Sequence, residues 1–86
     1  LSRSLNSADE RVIEKLSRLS TGASALTIAK AALGSQARRH SVDSLNMIGL
    51  AIAARLCGQQ ILRPTKTNQF VLNQGRRGRV WIRTLF

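Results

Sequence analysis

Residues 24–58 read SALTIAKAALGSQARRHSVDSLNMIGLAIAARLCG, and their spacing sets two helices joined by a turn. Ser24 opens the first, and Leu26, Ala29, Ala32 and Leu33 give it one apolar stripe. Gly34 suits the left-handed residue that closes a helix. The connection Ser35-Gln36-Ala37-Arg38-Arg39-His40 is polar and basic, and is long for a turn. Ser41 then caps the next helix, with Asp43 in its first turn. Val42, Leu45, Ile48, Gly49, Ile52 and Leu56 recur at three- and four-residue steps as its core face, and Gly58 terminates it. The opposite side carries Asp43, Met47, Leu50 and Ala54, so this helix is apolar on two faces. The spacing fits a helix-turn-helix unit.

Upstream, residues 1–6 read as a flexible lead-in. Ser7-Ala8-Asp9-Glu10 matches a capping box. Val12, Ile13, Leu16 and Leu19 follow at helical spacing, and Gly22 is expected to end this helix near Ser20–Thr21. Arg11, Lys15 and Arg18 fall on its solvated side. Downstream the period changes to two. Gln60–Arg63, stopped by Pro64, and Gln69–Asn73 are strand candidates around a turn at Thr65-Lys66-Thr67-Asn68. Gly75-Arg76-Arg77-Gly78 is a second turn, and 79–86 alternates like a third strand. The expected fold class is α+β: a three-helix bundle with a C-terminal β-hairpin wing, one domain over 1–86. A start at Leu1 suggests a piece of a longer protein.

The 86 residues carry 14 Lys+Arg against 4 Asp+Glu, a net charge of +10. All four acids lie before residue 44, so the second half is purely cationic. A polyanionic partner is the leading expectation, and an acidic solvating tail is excluded. Arg outnumbers Lys 11 to 3, which favours forked contacts to phosphate and guanine edges. The apolar fraction of 43% is too high for a disordered basic tail. The apolar-rich run Met47–Cys57, broken by Gly49 and Arg55, is too short to span a bilayer. A single cysteine, Cys57, leaves no internal disulfide and no Cys-based zinc site, and fits a reducing, cytoplasmic compartment.

In this order of elements the chain resembles a winged helix-turn-helix domain. Leu26-Thr27-Ile28-Ala29-Lys30-Ala31-Ala32-Leu33-Gly34 resembles the positioning helix of that family. Ser41-Val42-Asp43-Ser44-Leu45 resembles the start of its recognition helix. Ile61-Leu62-Arg63 and Gln69-Phe70-Val71-Leu72 resemble its wing. The tail Gly75-Arg76-Arg77-Gly78-Arg79-Val80-Trp81-Ile82 is similar to the closing wing of C-terminal domains in phage and plasmid primase–helicase replication proteins. The resemblance implies DNA binding, with the third helix in the major groove and its first turn on base edges. Those residues would be Arg38, Arg39, His40, Ser41, Ser44 and Asn46. The wing would follow phosphates through Arg63, Lys66, Thr67, Asn68, Arg76, Arg77 and Arg79.

The remaining chemistry reads as structural. His40 has no partners for metal ligation, and Cys57 reads as a small core residue. Asp9, Glu10 and Asp43 sit at helix starts. No acid–base or nucleophile–base pair is present, so the reading is a non-enzyme with no cofactor and no metal. Trp81 reads as a core anchor against the first helix rather than a base-stacking platform. Two alternatives stand beside DNA binding in replication or another mobile-element process. One is an RNA-embedded, ribosomal-type protein. The other is an interaction module that forms a homodimer, or docks on a parent protein, through Met47, Leu50 and Ala54.

Overall fold

A computed structural model describes residues 6–73. It holds α1 (Ser7–Ser17), α2 (Ala25–Leu33), a 3-10 helix (Gly34–Arg39), α3 (Val42–Gly58), β1 (Leu62–Pro64) and β2 (Phe70–Leu72). The expected strand at 79–86, the turn at Gly75–Gly78 and the core role of Trp81 lie outside the described residues. So does the expected lead-in, apart from Asn6.

Asn6, not Ser7, is the cap of α1: its side-chain oxygen accepts from the Asp9 amide at 2.9 Å. Two good capping residues stand side by side, and the choice of Asn6 shifts the first turn by one position. Asp9 stands three, four and seven residues before Val12, Ile13 and Leu16, so it shares their stripe, and it is fully buried. α1 also ends earlier than Ser20–Thr21. The Ser17 hydroxyl bonds the Glu14 carbonyl at 2.6 Å, a local bond that competes with helix continuation. Gly22 lies beyond the helix with φ +91°, and a Cβ there would stand 2.9 Å from the Phe70 carbonyl oxygen. Its task is to bring Ala23 against β2.

Ser24 and Ser41 cap α2 and α3 as their positions suggest, accepting from Thr27 N at 3.3 Å and Ser44 N at 3.1 Å. The two helices cross so closely at Gly49 that a Cβ built there would lie 1.8 Å from the Ala25 carbonyl oxygen. The connection between them is a 3-10 helix rather than an open turn. Ala37 is its buried residue and joins Ala29 and Leu45 in a small core. Val42, expected in the core, is 61% exposed. A helical side chain leans toward the N-terminus, so at the first position of α3 it reaches past the helix end.

Gly58 is the last residue of α3, but the left-handed stop is Gln60, at φ +64°. The Ile61 amide bonds the Leu56 carbonyl and the Gln60 amide bonds the Cys57 carbonyl, both at 2.9 Å, the paired bonds of a Schellman ending. Gln60 is therefore not strand, and β1 begins two residues later. A left-handed non-glycine residue costs about 1–2 kcal/mol. Gln60 is exposed, and its side chain makes no hydrogen bond among the described residues. Gln60→Gly is expected to raise the melting temperature by about 4–8 °C for each kcal/mol recovered, read by circular dichroism.

β1 and β2 pair antiparallel, with Leu62 opposite Leu72, Arg63 opposite Val71 and Pro64 opposite Phe70. Pro64 is thus the end of β1 rather than its outer limit. Thr65 braces the turn: its amide and hydroxyl bond the Gln69 carbonyl at 2.8 and 3.0 Å. Ala23 exchanges two backbone bonds with Phe70, at 2.8 and 2.9 Å, and adds a one-residue rung beyond β2. The main core joins Val12, Ile13 and Leu16 of α1 to Ile28, Ala53, Leu56, Leu62 and Leu72. The sheet therefore closes the helical layer on one side.

Two ties fix α1 to the other helices. Arg55 of α3 donates to the Asp9 carboxylate in a closely packed ion pair. Arg11 donates to the Ala32 carbonyl at 2.6 Å, near the C-terminal end of α2.

Candidate nucleic-acid interface

Nine basic residues fall within the described span, and three are engaged internally. Arg55 holds Asp9, Arg11 holds the Ala32 carbonyl, and Arg18 pairs with Glu14 at 3.1 Å on the surface. Lys15, Lys30, Arg38, Arg39, Arg63 and Lys66 make no side-chain hydrogen bond or ion pair among the described residues, and all six are exposed. No carboxylate of the described residues touches the four cations singled out from the sequence.

These four fall into two groups. Arg38 and Arg39 end the 3-10 helix, followed by exposed His40 and the capping Ser41. The 3-10 helix packs on α2, and its buried Ala37 anchors the basic pair. Arg63 and Lys66 belong to the hairpin, where β1 packs on α3 and β2 on α1. Arg63 faces solvent between buried Leu62 and the turn. Thr67 and Asn68 are exposed at the tip, where each also has a local task. The Thr67 hydroxyl meets that of Thr65 at 2.9 Å, and Asn68 takes φ +63°, a conformation asparagine tolerates well. Lys30, exposed in the last turn of α2, was not singled out by its sequence neighbourhood. Its signal was a cation off the apolar stripe, one turn before Gly34. Arg76, Arg77 and Arg79 lie outside the described residues.

The first turns of α3 do not gather their polar residues onto one face. Ser44 and Asn46 are both exposed, but two positions on a 3.6-residue helix point about 160° apart. Between them the outward stripe holds Asp43, Met47, Leu50 and Ala54, with Met47 71% and Leu50 52% exposed. Asp43 makes no bond among the described residues.

Cys57 is half-buried against the main core, and burial pushes its thiol pKa up, away from nucleophilic chemistry. Among the described residues no three His, Cys, Asp or Glu side chains gather in a way that would hold a metal ion. None of the described helices is long and apolar enough to cross a membrane. No family model, curated protein or solved structure matches the chain.

Proposed function

We propose that this chain is a nucleic-acid-binding domain of winged-helix type that favours duplex DNA. The observation that carries the reading is two exposed cation groups with no ion-pair partner among the described residues, Arg38–Arg39 before α3 and Arg63–Lys66 on the hairpin. From residue 44 onward the sequence has no acid to neutralise them. The element order supports the type: three helices, a hairpin after the third, and a rung at Ala23 between the first two. Affinity would come from counterion release as the arginines and lysines neutralise phosphates.

The test is duplex binding by fluorescence anisotropy across a salt series. With about six cations on phosphates, log K should fall against log[salt] with a slope near −5. A slope near zero, or no binding at low salt, defeats the proposal. Competition with a structured RNA decides between duplex DNA and an RNA-embedded role.

A further inference from the structure

From the placement of charge around α3 we infer that the ligand is held by its sugar–phosphate backbone without base reading, and that the outward face of α3 stays off the groove. The inference rests on the nucleic-acid reading above and concerns how that site works.

α3 is 17 residues, about 25 Å, long enough to lie in a major groove. A helix placed there needs donors and acceptors on its outward face, and cations near the phosphates that line both sides. α3 offers neither. Its only basic residue, Arg55, is held by buried Asp9. Its outward stripe is a carboxylate followed by Met47, Leu50 and Ala54. Apolar side chains of this kind have only thymine methyl groups to meet in the groove. Asp43 would sit among phosphates of its own sign. Ser44 and Asn46, the polar residues of the first turns, diverge to opposite flanks. No free cation of the described residues lies on α3; Arg38 and Arg39 stand before it on the 3-10 helix, Arg63 and Lys66 after it on the hairpin, and Lys15 and Lys30 on α1 and α2. Those positions suit contact with backbone phosphates, which carry no sequence information directly.

The experiment uses the whole chain and three unrelated duplexes of about 20 base pairs at roughly 0.15 M salt, where the Debye length is about 8 Å. Dissociation constants are expected to agree within about threefold across the duplexes, because phosphate contacts do not discriminate sequence. Arg39→Ala and Lys66→Ala should each weaken all three equally and make the salt slope shallower by about one. Met47→Lys and Ala54→Lys place a new cation on the exposed face of α3, and circular dichroism should show the fold unchanged. Each should alter affinity by less than about twofold, since a charge more than a Debye length from phosphate is screened. A tenfold preference for one duplex that vanishes in Asn46→Ala would overturn the inference and leave nucleic-acid binding standing. A tenfold gain from Met47→Lys would do the same. Failure of the parent chain to bind any of the three at low salt would remove the nucleic-acid reading itself.

Discussion

Gly49→Ala is expected to destabilise the fold severely, although alanine is the better helix former. The added methyl would stand 1.8 Å from the Ala25 carbonyl oxygen and 2.5 Å from its carbon, so the obstruction is backbone and no rotamer change relieves it. α2 and α3 would have to separate, and both cores span the two helices. Overpacking of a well-filled core costs about 1–3 kcal/mol where side chains yield, and more where they do not. A domain of this length has a total stability of roughly 4–13 kcal/mol. A fall in melting temperature of more than about 15 °C is expected, at 4–8 °C per kcal/mol. Gly58→Ala is the matched control. Nothing lies within 4 Å of its Cβ position, and its φ is not positive. That substitution should be neutral or stabilise by up to about 1 kcal/mol. Equal effects at the two glycines would refute the close crossing.

Arg55→Met ranks second. Asp9 is fully buried, while the Arg55 side chain is 46% exposed, so the two partners are not equivalent. Removal of the arginine strands a carboxylate in the core, and its other oxygen, Oδ2, already meets no donor among the described residues. Breaking a fully buried ion pair in this way costs about 3–5 kcal/mol, and solvent screening of the half-exposed Arg55 puts this pair toward the lower end. Asp9→Asn in the same background should recover much of the loss, because the stranded charge is gone. Urea unfolding of the two single variants and the double variant gives the coupling between them. A coupling of at least about 2 kcal/mol is expected, and additive losses would mean the pair contributes nothing as a pair.

The α2–α3 unit was legible because its signals are local: a serine before each helix, a stripe within it, and Gly34 between them. The hairpin was legible as a change of period, though its strands came out shorter than the alternation suggested. The exits of α1 and α3 were not. The Ser17 hydroxyl turns onto its own helix, and Gln60 takes a conformation usually given to glycine. The rung at Ala23 has no local signature, since one residue cannot alternate. The Asp9–Arg55 pair joins residues 46 apart, yet each half left a trace. Asp9 stands three, four and seven residues before Val12, Ile13 and Leu16, and Arg55 interrupts an apolar run. Two misplaced opposite charges on two core stripes are a reason to look for one contact. At the candidate interface, the cation positions on the 3-10 helix and the hairpin follow from the sequence. The divergence of Ser44 and Asn46 follows from helix geometry alone.

Cys57 gives the molecule a reporter of its own. It is the sole thiol of the chain, set in the final turn of α3 and partly sheltered by the core beside the Schellman ending. A thiol-modifying reagent can therefore time how often that turn opens in the native protein, with no label introduced. Its uptake under native conditions would separate brief fraying of one helix end from global unfolding, in the same sample used for equilibrium melts.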